Sequence, residues 1–374
     1  MARRPPNRDR DKSQEPRAAR PGSGKHGPQP DKRPQPDKRR REDADATGRP
    51  RGLMKPSAAP VPRRPAPKPR GPRISRETLG LLLQTDGWDQ YRLLDMGEGE
   101  KLERYGDLVV VRPEPQAMGA RRRPAKEWDA AGAVFTGDVE EEGPGRWRQA
   151  PGIGESWPMA IDGIDFICRL TAFRHVGIFP EQKVQWDWMA GRIRAADRPL
   201  KVLNLFGYTG LASLIAAKAG AEVTHVDASK KAIGWARENQ SLAGLDSAPI
   251  RWLCDDAVKF CEREVRRGNS YDGILLDPPK FGRGPDGEVW SLFEDLPHML
   301  DLCRQILSPK PSFVVLTAYS IRASFIAGHE LMGDLFGDLA GNLESGELVL
   351  RETTADGTPG RALSTSMYTR WSAP

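Results

Sequence analysis

The sequence predicts an α/β protein built on a doubly wound, mostly parallel sheet. Three observations point there. From Lys201 onward, short apolar segments alternate with longer stretches of helical composition, as expected of parallel strands covered on both faces. The chain closes on two strand-like segments, GELVLRET and ALSTSMYTRWS, with a Gly-containing loop between them, the pattern of an antiparallel hairpin. The apolar stretch ILLDPPKFGRG stops on Asp277. Two prolines follow, and neither can donate to a central ladder, so a buried strand ends there at a stiff turn.

Composition divides the 374 residues into three parts. Residues 1–75 are dominated by Pro, Arg, Lys and Asp, as in PQPDKRPQPDKRRRED. Such a segment cannot bury enough apolar surface to offset ordering entropy, and it is expected to be a disordered basic tail. It carries a net charge of about +14, so a chain total of +6 leaves about −8 for the rest. The basic character belongs to the tail, and the mildly acidic body weakens the case for a generic polyanion binder. No apolar run approaches the ~18 residues of a membrane span, and no secretory signal is evident. Cys168, Cys254, Cys261 and Cys303 form no C-x-x-C pair. They read as reduced thiols of a cytoplasmic protein, and no metal site is expected.

Residues 76–172 read as a small β-rich domain. Residues 77–84 (ETLGLLLQ) could form one short helix. Residues 91–116 follow as strands with turns at Gly97, Gly99 and Gly106. Asp162-Gly163 is a good hairpin turn within PMAIDGIDFICRL.

Residues 173–374 hold the parallel sheet. KVLNLF is its first strand, and GLASLIAAKAG a helix closed by Gly220. AEVTHVDAS is the second strand, followed by a helix with Ser229 as N-cap. PIRWLCDD, YDGILLD and SFVVLTAYS continue the strands, with helices at AVKFCEREVRRG and near 290–307.

Ligands of such sheets sit beyond the carboxyl ends of the strands, and four features fall there. Asn204, Phe206, Gly207, Tyr208, Thr209 and Gly210 make the turn after the first strand, with glycines that let a backbone approach a ligand. It is neither G-x-G-x-x-G nor a P-loop. Asp227 ends the second strand about 20 residues on, where an acid can accept from ribose hydroxyls. Asp255, Asp256 and Ala257 follow the third strand; one acid can cap the helix while the other meets a base, with Asp256 favoured for the ligand. Asp277, Pro278, Pro279, Lys280 and Phe281 follow the fourth.

In this order the four features resemble the class I S-adenosylmethionine-dependent methyltransferases, over roughly 172–374. NLFGYTG with DPPKF is most similar to the large-subunit ribosomal RNA methyltransferases. The resemblance implies a Rossmann-like seven-stranded sheet with an antiparallel last strand, S-adenosyl-L-methionine as cofactor, and Phe179 and Gln182 of GIFPEQ helping to cover it. It implies ribosomal RNA as partner, with the tail as a possible tether. Phe281 would stack on a base and Lys280 touch a phosphate. Relatives that methylate carbon 5 of cytosine carry a cysteine just after the fifth strand, where this chain has Ser320. That departure favours a nitrogen acceptor, because serine is a far poorer nucleophile. A protein or small-molecule acceptor, or a non-catalytic RNA-binding role, stays open at this stage.

Overall fold

The computed structural model describes residues 64–71, 74, 76–137, 144–319, 323–354 and 356–374. Most of the expected basic tail, and Ser320, lie outside the described residues.

The N-terminal part is strand-rich. It holds β1 (Arg76–Gln84), β2 (Tyr91–Gly97), β3 (Glu100–Tyr105), β4 (Leu108–Pro113), helix α1 (Ala125–Asp129), β5 (Ala133–Thr136), β6 (Arg146–Gln149), β7 (Ser156–Ile161) and β8 (Ile164–Arg169). The β7–β8 hairpin turns at Asp162 and Gly163, both at positive φ, the geometry that matches strand twist. Alternation follows: α2 (Lys183–Ala195), β9 (Lys201–Leu205), α3 (Leu211–Lys218), β10 (Glu222–Asp227), α4 (Lys230–Leu242), β11 (Ile250–Cys254), α5 (Ala257–Arg267) and β12 (Gly273–Leu276). A short hairpin, β13 (Phe281–Arg283) and β14 (Val289–Ser291), leads to α6 (Leu292–Gln305), β15 (Phe313–Tyr319), α7 (Phe325–Phe336), β16 (Asn342–Thr353) and β17 (Pro359–Ser372).

The strands run β11-β10-β9-β12-β15-β17-β16 across the sheet. Pairings are parallel as far as β15, and β17 is antiparallel to both its neighbours. A single bridge from Glu352 to Leu93 carries the sheet on into β2-β3-β4-β5-β6.

The predicted helix at 77–84 is a strand instead. β1 lies parallel to β16, with a register shift between Leu79 and Leu81 around Gly80 at φ 75°. Glycine inside so short a helix is costly, whereas β16 offers a complete ladder. A Cβ on Gly346 would fall 1.8 Å from the Leu81 carbonyl oxygen, so this glycine allows the close approach.

Period-two alternation divides the core between the two faces of the sheet. Val202, Leu275 and Val315 pack with Trp186, Met189 and Leu214 of α2 and α3. Leu203, Leu205, Ile274 and Leu276 pack with α5, α6 and α7 through Phe260, Met299 and Phe336. Each fully buried side chain contributes about 1.5–3 kcal/mol. This packing fixes the strand ends, and therefore the turns that follow them. Among the described residues no helix is long and apolar enough to cross a membrane.

Candidate active site

The turn after β9 is strained. Phe206 and Tyr208 sit at φ 58° and 51°, and Gly210 at 84°. A non-glycine residue there costs roughly 1–2 kcal/mol, so the turn must be held. Gly207 N donates to Val226 O at 3.2 Å. Tyr208 N donates to Asp227 Oδ2 at 2.9 Å, and Thr209 Oγ1 to Gly177 O at 2.7 Å. The Phe206 ring lies 5.0 Å from that of Trp290. Tyr208 Oη is 2.9 Å from His175 Nδ1. Burial, then Arg112 and Arg174, push His175 down to about 4, so its ring is neutral at neutral pH.

Beneath the turn, Asn204 Nδ2 donates to Ser213 Oγ at 2.9 Å, and Ser213 Oγ meets His225 Nδ1 at 2.9 Å. Burial pushes His225 down to about 3. A Cβ on Gly207 would lie 2.4 Å from His225 Cε1, which explains a glycine at that point.

Asp227 Oδ1 accepts from Ser229 N at 2.8 Å, so each of its oxygens already holds one backbone N–H. Each keeps a second lone pair. Burial pushes its carboxyl up, against those two bonds. After β11 the two roles expected of separate acids fall on one: Asp256, favoured for the ligand, is also the helix cap through Oδ1, which accepts from Lys259 N at 2.9 Å, while Asp255 pairs with Arg263.

Asp277 stands at the end of β12. Gln182 Nε2 donates to its Oδ2 at 3.0 Å, and Thr317 Oγ1 in turn reaches Gln182 Oε1 at 3.4 Å. Burial, and then the charge of Glu181, push Asp277 up to about 7, with the Gln182 bond opposing. Two carbonyls of the following turn have internal donors: Pro279 O takes Trp290 Nε1 at 2.7 Å, and Lys280 O takes Leu292 N at 3.0 Å. Lys280 Nζ sits 5.4 Å from the Phe281 ring centroid.

Two cavities meet along this edge. The inner one, about 70 Å³, is lined by Gln182, Asn204, Gly207, Thr209 and Asp277, among others. The outer one, about 430 Å³, takes in Asp227, Asp256, Ala257 and the stretch from Pro278 to Phe281. Phe179, Phe206, Tyr208 and Asp277 line both. The predicted residues are therefore brought together, except that Gly210 lines neither cavity. Its Cβ would lie 2.8 Å from Ala236 Cβ, so it serves the packing of α3 on α4. Sequence reasoning missed Phe173, Arg174, His175, Trp290 and Tyr319, which also line the outer cavity. A cluster of Phe, Arg and His just before GIFPEQ was the one signal available.

A strand-end acid can accept from hydroxyl or amino groups, and an apolar, aromatic-walled cavity can take a nucleoside. Residues 141–325 match the family model of S-adenosylmethionine-dependent methyltransferases. The chain is 58% identical to the S-adenosylmethionine-dependent methyltransferase from Agrobacterium tumefaciens, whose crystal structure superposes with a TM-score of 0.79. The match covers 82% of this chain and 97% of that one. Ribosomal RNA large subunit methyltransferase I of Klebsiella pneumoniae (strain 342) is 30% identical over 54% of this chain and 53% of its own. Ribosomal RNA large subunit methyltransferase K/L of Pseudoalteromonas atlantica is 27% identical over 65% of this chain and 36% of its own. The chain thus spans about half or less of the length of these curated relatives. With the sheet order, the strand-end turns and the near full-length match to the Agrobacterium enzyme, the chain belongs to the S-adenosylmethionine-dependent methyltransferases, and S-adenosylmethionine is its cofactor.

Proposed function

We propose that this enzyme methylates a base of RNA, specifically large-subunit ribosomal RNA, at a nitrogen atom. The observation that carries the reading is the position of Asp277. It stands where the two cavities meet, held by Gln182 and followed by two prolines that cannot drift.

The donor set suits the cofactor. Asp227 accepts from ribose hydroxyls through its remaining lone pairs. Asp256 and Ala257 meet the adenine edge. Phe179, Gln182 and the turn from Asn204 to Thr209 surround the rest, with Gly210 setting the turn. The bound cofactor supplies a methyl group already activated on a sulfonium. What the chain adds is orientation and exclusion of water. The Asp277 carboxylate accepts an N–H of the acceptor base and fixes the nitrogen in line. Phe281 stacks on the base and Lys280 meets a phosphate. Among the described residues no cysteine lines either cavity, which supports nitrogen over carbon 5. The names of the curated relatives support ribosomal RNA.

Within this reading residues 76–172 form a substrate-side domain and 173–374 the methyltransferase domain, working in the cytoplasm. The basic tail, 1–75, tethers RNA by neutralising phosphates, so its deletion weakens RNA binding at low salt and spares cofactor binding. The proposed activity is tested by mass spectrometry of ribosomal nucleosides from cells with and without the gene. One N-methylated nucleoside of the large-subunit RNA should disappear. An unchanged nucleoside profile, or loss of a carbon-5 methyl, counts against it.

A further inference from the structure

Phe173 is a large apolar side chain left in the open at the mouth of the outer cavity. It is 44% exposed and lines the outer cavity. A single exposed apolar side chain is ordinary; one that shares a cavity with a second open ring marks a binding surface. Nor is it on a loose segment. Its N–H donates to Thr171 Oγ1 at 3.1 Å, and its carbonyl accepts from Trp147 Nε1 at 3.2 Å. The next two carbonyls are held too, Arg174 O by Arg112 at 3.1 Å and His175 O by Thr171 Oγ1 at 3.3 Å. The Phe173 ring lies on the imidazole of His175, centroids 5.5 Å apart and planes 9° from parallel. One face is backed by a flat, neutral ring, and the ordering cost of the backbone is met before any ligand arrives.

The same cavity holds a second open phenyl, Phe281, 66% exposed, with Lys280 and Arg283 beside it. Two open aromatic rings and two cations at one mouth match a splayed nucleotide: a flat base and its phosphate. We propose that Phe173 is a specificity-determining residue, supplying a second stacking surface for the acceptor base besides Phe281. The assignment rests on the RNA reading above. It adds that the acceptor must be an unstacked heteroaromatic ring, delivered from a single-stranded or flipped site.

The test compares wild type, Phe173→Ala and Phe173→Trp as full chains. Each is assayed for methyl transfer to unmodified large-subunit ribosomal RNA and titrated with S-adenosylhomocysteine. Phe173→Ala should raise KM for RNA roughly 5- to 100-fold, leave kcat and S-adenosylhomocysteine affinity within about twofold, and be rescued by Phe173→Trp. An unchanged KM in Phe173→Ala overturns the proposal. So does a Trp variant no better than the Ala variant, or cofactor affinity that falls in step with RNA affinity. In that last case the ring only props His175 against Tyr208. The two readings fail separately. Wild type that labels RNA while Phe173→Ala does so equally well sinks only this inference. Wild type that labels protein or a small molecule instead of RNA sinks the RNA reading, and this one with it.

Discussion

Gln182 donates to Asp277 across 3.0 Å, tying the segment before the first parallel strand to the acid that ends the fourth. The bond is polarised toward the carboxylate, because an amide N–H favours the ionised form. It opposes burial and Glu181, which together push Asp277 up to about 7. Burial thus holds Asp277 near neutrality, and a neighbour on another element draws it part of the way back.

The ionised carboxylate is much the stronger acceptor, so kcat/KM for RNA should rise with pH through about 7. Removing the bond with Gln182→Ala should move that rise to higher pH by roughly half to one unit. A pH–rate profile on both proteins reads the shift. A rise at the same pH in the variant would mean Gln182 does not tune Asp277.

The same shift has a sign for stability. The folded value, about 7, lies above the unfolded value of ~3.9. Below pH ~4 both states hold the proton and there is no penalty; stability is lost as pH rises from ~4 to ~7, and the loss is constant above. Asp277→Asn should therefore stabilise the protein by about 1–3 kcal/mol at pH 8 and hardly at all at pH 4, while lowering transfer by ~10²-fold or more. Urea unfolding at the two pH values measures it. Equal gains at both would contradict the titration of Asp277.

Asp227 holds Tyr208 N and Ser229 N while facing the outer cavity. Asp227→Ala removes the acceptor and releases the strained turn. Affinity for S-adenosylhomocysteine should fall about 10- to 100-fold by calorimetry, with Asp227→Asn between the two. Full affinity in the Ala variant would remove Asp227 from the cofactor site.

Gly210 has φ 84° and no space for a Cβ between Ala236 and Trp252. Gly210→Ala should cost about 2–4 kcal/mol in urea unfolding, from backbone strain and overpacking together. Cofactor affinity of the folded fraction should fall less than on removal of Asp227, because Gly210 lines neither cavity and acts only through the turn. A variant of wild-type stability would show that α3 and α4 can part without cost.

Sequence and structure agree best where the signal is local and repeated. Val202 and Leu203 face opposite cores, and that alternation, broken by helical stretches, is visible in the letters alone. The strand-end acids were legible because the sheet places them at fixed points. ETLGLLLQ was misread because its leucines fit helix and strand alike, and its partner, Asn342–Thr353, lies at the far end of the chain. The β13–β14 hairpin escaped because strands of three residues carry no period. His175 escaped for a different reason. It meets Tyr208 across 33 residues of sequence, and only the folded chain brings Phe173 parallel to His175 and Tyr208 edge-on to it.

The most direct measurement is transfer of tritium from methyl-labelled S-adenosylmethionine, with unmodified large-subunit ribosomal RNA and cell protein offered together. Label should enter the RNA, appear in an N-methyl nucleoside after digestion, and vanish with Asp277→Ala. Label confined to protein, or an Asp277→Ala enzyme that transfers at the wild-type rate, would contradict the assignment.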